Sequence, residues 1–262
     1  MSAPFTLTAD QLRTFDSHGL LRLAGFYPRA GIAAMADRLW ADLEARCGAR
    51  RGRPESWAGI PPPAGFATLR RSGAFAALGS PAMMRLADLL LGTGSWERPT
   101  HWGRPLVTFP GPAPGLQRPP WHLDLTGAER LDPLPILRIF TFLEPVGPRG
   151  GGTLCIAGSH RLAIAIERAG GGPVRSAAVR DRLAADHSWF ARLLATPGAA
   201  LHQRIGDRTT VDGCAVRLEQ MTGDPGDLIV MHPAVLHAAA ANTGDRPRLM
   251  LTEWIARSAA PA

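Results

Sequence analysis

The chain has 262 residues, 45% of them hydrophobic and 19% charged, with a net charge of +7 at pH 7. That length suits one domain, no apolar run is long enough to cross a bilayer, and the opening Met1–Thr6 lacks the basic-then-apolar pattern of a signal peptide. All 29 basic residues are arginines, spread along the chain and broken by acids, which argues against nucleic acid as a partner, and three scattered cysteines (Cys47, Cys155, Cys214) without a C-x-x-C pair fit a reducing cytoplasm.

Thr8 to Gln11 reads as a capping box, opening a helix from about Ala9 to His18 that stops at Gly19. Leu20–Leu23 is a short strand. Pro28 to about Arg46 is a second helix, with Ile32, Met35, Leu39 and Leu43 on one face. Residues 47–66, rich in Arg, Gly and Pro, read as a loop, and Pro81–Leu91 as another helix. From about residue 104 the pattern changes to short strands: 106–109, 136–143, 153–156, 215–218, 227–231 and 249–255. Between the first two lies a Pro/Gly loop of about ten residues ending at Trp121. Residues 160–205 read as a helical, irregular insert with its best helix at 189–194, and 258–262 as a frayed tail. Helices followed by many short strands predict one mainly β domain, a barrel or sandwich carrying N-terminal helices over about 1–100 and a core over about 101–257.

The chemistry gathers at Trp121-His122-Leu123-Asp124. On an extended segment, side chains at i and i+2 share a face, so His122 and Asp124 present an imidazole and a carboxylate together while Leu123 turns into apolar packing. One more imidazole completes a 2-His-1-carboxylate triad, the ligand set that holds Fe(II) and leaves positions open. The downstream stretch from Gly226 to Arg248 offers two candidates, His232 and His237, whose odd spacing puts them on opposite faces of a continuous strand.

These pieces, in this order, resemble the phytanoyl-CoA dioxygenase family of Fe(II)- and 2-oxoglutarate-dependent oxygenases. Trp121–Asp124 is similar to the family's W-H-x-D, Gly151–Leu154 through Gly158–Arg161 to its N-G-x-L…P-G-S-H-R, and Gly226–Arg248 to its G-D…H…N…R block. The family's distal histidine stands eleven residues before its 2-oxoglutarate-binding arginine, a spacing that His237 and Arg248 share. The resemblance therefore implies a double-stranded β-helix (jelly roll, cupin-like), iron held by His122, Asp124 and His237, and 2-oxoglutarate anchored by Arg248. Thr108, Phe140 and Thr141 fall on strands that line the cosubstrate pocket in the family. It further implies hydroxylation of a small molecule by O2, with release of succinate and CO2. Asp124 argues against the halogenases of this scaffold, which carry a small residue there. Desaturation, epimerisation or cyclisation on the same ligands, and a catalytically silent metal-binding or sensing protein, are the alternatives. The family often has Ser where Ala239 stands and Pro where Ala157 stands. Ser159 and His160 read as structural, and Trp102, Trp121 and Arg138 as packing or substrate contacts. Trp189 falls in the insert, which reads as a lid over the pocket. Oligomeric state is left open.

Overall fold

Thr8 opens the first helix, α1 (Ala9–His18), by accepting the Gln11 N–H while the Gln11 side chain accepts the Thr8 N–H. The computed structural model describes residues 5–111, 120–125 and 127–258; most of the connection expected before Trp121 and of the frayed tail lies outside the described residues, as do Met1–Pro4. At the end of α1, Gly19 takes a left-handed φ of 68°, and a Cβ there would sit 2.6 Å from His160 Nδ1 and from Val235 Cγ2. Only glycine meets both demands.

Among the described residues nine strands follow or interleave: β1 (Leu20–Leu23), β2 (Arg104–Thr108), β3 (Ile136–Phe142), β4 (Leu154–Ala157), β5 (Arg208–Val211), β6 (Cys214–Gln220), β7 (Leu228–Met231), β8 (His237–Ala238) and β9 (Arg248–Ala256). They form two sheets, both antiparallel, a five-stranded one in the order β1-β7-β3-β9-β2 and a four-stranded one in the order β5-β6-β4-β8. Phe140, Phe142, Ile229, Met231 and Met250 of the large sheet share one buried cluster with Cys155 of the small one. The sheets therefore face each other across it, with alternate residues pointing in.

Two further apolar layers cover the outer faces. Leu137, Ile139, Leu249 and Leu251 pack against helices α2 (Arg29–Cys47) and α4 (Pro81–Leu91). Leu154, Ile156, Val216 and Leu218 pack against α5 (Ser159–Gly170), α6 (Ser176–Asp186) and α7 (Ser188–Ala195). Asp227 joins N-terminal region to core: its Oδ1 accepts the Gly25 N–H at 2.9 Å and its Oδ2 pairs with Arg22 at 2.5 Å. Burial pushes this carboxyl up, but hydrogen bonds from Gly25, Arg22 and Asp224 outweigh that and hold it below the usual range.

Three expectations need correction. More of the described chain is helix than strand, so "mainly β" understates the helical layers; the additional short helices α3 (Ala67–Arg71) and α8 (Gly198–Leu201) are too brief to carry a periodic signal. Strands β5 and β8 were not expected either, being four and two residues long. The 160–205 insert, expected as a lid, packs on the outer face of the small sheet because its apolar stripes match that face. It braces the ligand-bearing segment, with Ser176 Oγ accepting the Leu123 N–H at 2.8 Å. Among the described residues no helix is long and apolar enough to cross a membrane.

Candidate metal centre

The segment carrying His122 runs antiparallel to β8, with His122 N–H to His237 O at 2.9 Å and His237 N–H to His122 O at 3.0 Å. Two residues on, the Asp124 N–H bonds Pro233 O at 2.9 Å. This extended backbone places His122 and Asp124 on one side, facing His237. Ligand atoms of all three residues lie within 4.8 Å of one another. Asp124 Oδ1 is 3.8 Å from His122 Nε2, and Oδ2 is 3.5 Å from His237 Nε2.

The tautomers are set for ligation. His122 Nδ1 donates to Pro120 O at 2.8 Å, and His237 Nδ1 to Val235 O at 2.9 Å, leaving each Nε2 lone pair to the shared centre. Burial is the main cause that lowers the His237 pKa, to about 4, with Asp124 opposing it, so the imidazole is neutral at physiological pH. Two imidazoles presenting Nε2 and one carboxylate, open on the side where His122 is 47% exposed, fit a divalent iron. Cys155 stands opposite His237 in register, but burial pushes its thiol well up, so it is an apolar wall and not a ligand.

The rival histidine is elsewhere. His232 packs on His160, ring centres 5.1 Å apart, and its Nδ1 accepts the Ala234 N–H at 3.1 Å. Ser159 Oγ donates to Ile156 O and accepts the Leu236 N–H, and His160 Nε2 donates to Asp16 O. Both are structural ties.

Arg248 heads β9 and is 8% exposed. Its Nη1 donates to Gly151 O at 2.7 Å and Nη2 to Thr108 Oγ1 at 2.8 Å. The glycine turn that supplies this carbonyl is sterically required: a Cβ on Gly152 would sit 1.8 Å from Met221 O. Arg248 Nε is buried without a hydrogen-bond partner, and no described carboxylate lies within ion-pair distance. Burial lowers its pKa to about 10, leaving it a cation without a counter-ion. Arg248, Thr108 and Asn242 line a cavity of about 750 Å³ whose remaining wall is largely apolar and includes Trp57, Ile60 and Pro61.

The other expected cosubstrate contacts separate. Alternation along β3 turns Phe140 inward and Thr141 outward, where the Thr141 hydroxyl donates to Asp227 O at 2.8 Å. Phe140 lies under Arg138, 5.3 Å from its guanidinium carbon, so of the three only Thr108 touches Arg248. Arg138 has a larger part than its sequence position suggested: its Nε is 2.7 Å from Asp124 Oδ2, an ion pair in which the N–H is not aimed at the oxygen. Burial lowers the Arg138 pKa to about 10, with Asp124 opposing the shift. The one sequence signal for this was an arginine among inward-facing apolar residues of a strand.

The profile of the phytanoyl-CoA dioxygenase family matches residues 15–250. Among solved structures, EctD from S. alaskensis in its apoform is similar with a TM-score of 0.57 at 17% identity, over 96% of this chain and 77% of that one. SnoK, a non-haem alpha-ketoglutarate-dependent carbocyclase from nogalamycin biosynthesis, is similar with a TM-score of 0.54 at 17% identity, over 98% and 87%. HygX from Streptomyces hygroscopicus, with nickel and 2-oxoglutarate bound, gives 0.52 at 16%, over 97% and 88%. No curated protein matches.

Proposed function

The chain belongs to the phytanoyl-CoA dioxygenase family, and from that premise we propose that it is an Fe(II)- and 2-oxoglutarate-dependent oxygenase hydroxylating a small molecule. The observation that carries this reading is the convergence of His122, Asp124 and His237 within 4.8 Å, both imidazoles offering Nε2. The two facing sheets are read as the double-stranded β-helix that frames such a centre, in one domain with its helices.

His122, Asp124 and His237 would hold the iron, and Arg248 the far carboxylate of 2-oxoglutarate. A planar guanidinium suits that carboxylate through two parallel hydrogen bonds, and a buried, uncompensated one is stabilised by an anion. Thr108 positions Arg248, and Phe140 forms apolar wall beneath Arg138. Bound iron supplies the activation of O2 that couples cosubstrate decarboxylation, yielding succinate and CO2, to substrate oxidation. The protein's own share is orientation and exclusion of water, for which the apolar cavity before Arg248 is suited. Asp124 fills the position that a halide-using site leaves open, which favours hydroxylation. Three free cysteines support a cytoplasmic setting.

The test is anaerobic titration with Fe(II) and then 2-oxoglutarate, following the weak visible charge-transfer band of the chelate. We expect the band in wild type and its loss in His237→Ala and Arg248→Ala. Iron binding without a band in wild type would overturn the 2-oxoglutarate assignment. Product mass then separates hydroxylation from desaturation, epimerisation or cyclisation.

A further inference from the structure

Arg138 and Trp254 face each other in register on β3 and β9, on the inner side of the large sheet. The Arg138 guanidinium carbon is 4.8 Å from the Trp254 ring centre and 5.3 Å from that of Phe140. Arg104, half exposed on β2, lies on the same indole at 5.5 Å. The Trp254 ring is thus flanked by two cations beside the iron-ligand carboxylate. Arg138 Nη1 and Trp254 Nε1 are both buried without a hydrogen-bond partner. Two idle buried donors in one cluster call for an acceptor, because a buried polar group left unpaired is costly.

Charge points the same way. Among described carboxylates, Asp124 alone is within ion-pair distance of Arg138, while Glu253 is taken by Arg70 and Arg104. When Asp124 gives its charge to a metal, that compensation is weakened. A dication, one carboxylate and dianionic 2-oxoglutarate sum to a single negative charge, which Arg248 cancels. Arg138 is then the cation left over, at a depth where an unpaired charge is costly.

From this we infer that the substrate carries an oxyanion, a carboxylate or phosphate ester, received by Arg138 and Trp254 beside the iron, with Arg104 at the outer edge. The inference rests on the oxygenase reading above and adds the substrate class to it. Arg138 would be a substrate-binding and specificity residue.

The test uses wild-type protein loaded anaerobically with Fe(II) and 2-oxoglutarate. It is titrated with phenylacetate and phenyl phosphate, and with the uncharged phenylacetamide and benzyl alcohol, each followed by perturbation of the visible band. A charged probe should bind at least about tenfold more tightly than its uncharged partner, the scale of a charge-assisted hydrogen bond. The better charged probe tells carboxylate from phosphate ester. In Arg138→Gln the charge preference should vanish while the band still saturates with 2-oxoglutarate, and Arg138→Lys should restore part of it. A purely structural Arg138 would not discriminate between charged and uncharged probes of one shape. Equal responses to charged and uncharged probes, a preference unchanged in Arg138→Gln, or no response to any probe up to about 10 mM would overturn the inference. Absence of the band in wild type is a different result, and defeats the oxygenase reading itself.

Discussion

At the scale of single residues, Arg248 is useful only if its fork is held still. Its Nη1 and Nη2 are tied to Gly151 O and Thr108 Oγ1. Replacing Thr108 with Val keeps the shape and removes one tie, leaving a buried donor short of its partner. Such a loss costs about 1–2 kcal/mol, so the KM for 2-oxoglutarate should rise roughly tenfold with little change in kcat. Steady-state succinate release would measure this, and a fall in kcat at unchanged KM would contradict it. Residue chemistry was legible in the sequence where spacing fixes geometry: His122 and Asp124 at i and i+2 share a face because extended backbone alternates. The same alternation explains why Phe140 and Thr141, adjacent in sequence, part company. The choice of His237 over His232 needed the resemblance to the family, whose eleven-residue spacing from distal histidine to arginine His237 and Arg248 share, since both are buried histidines on apolar sequence. The Arg138 ion pair depends on two segments meeting in space, and no local pattern announces that.

Individual elements are secured by polar ties that a sequence shows only as letters. The end of α1 is fixed by His160 Nε2 donating to Asp16 O, the Gly158 N–H to His18 O, and the His232 N–H to Gly19 O. Both histidines are buried and neutral. Burial lowers the His160 pKa to about 4 and the His232 pKa to about 3, and the unfolded chain titrates near 6.5. Below about pH 6.5 the unfolded state therefore binds protons that the folded state refuses. Stability is fully present above that pH and falls as pH drops toward 4, by up to about 1.4 kcal/mol per pH unit for each histidine. Buried His237 contributes with the same sign. Urea unfolding at pH 7 and pH 5 should show a lower midpoint at pH 5, with a smaller difference in His232→Gln. A midpoint independent of pH over that interval would show these groups to be hydrated. The capping box and Gly19 made α1 readable in advance; what it docks against was not, because His160 and His232 stand 142 and 214 residues beyond the end of α1 and 72 from each other.

For the whole molecule, the order of helices, short strands and turns announced the layered architecture. It did not announce the pairing of β1 with β7 or the insert's seat on the small sheet, since long-range register follows from packing of whole faces. The candidate centre exploits that assembly: its ligands come from the His122 segment and from β8, strangers in sequence joined by backbone hydrogen bonds. Asp124, meanwhile, leans on Arg138 of the opposite sheet. A metal there would clip the edge of the small sheet to a segment whose own flank connects to the large one, and the unfolded chain has no such site. Ligation should therefore stabilise the entire fold by about 2.7 kcal/mol at a free metal concentration one hundred times Kd. For a chain of this size that corresponds to a rise in Tm of roughly 5–10 °C. Anaerobic thermal unfolding with Fe(II), then with excess chelator, would record the gain and its reversal, and 2-oxoglutarate should add a further increment in wild type alone. His237→Ala should unfold at the same temperature with and without metal, because removing one imidazole breaks the clip without touching the three apolar layers. An equal metal-induced rise in that variant would place the stabilising ion elsewhere on the molecule.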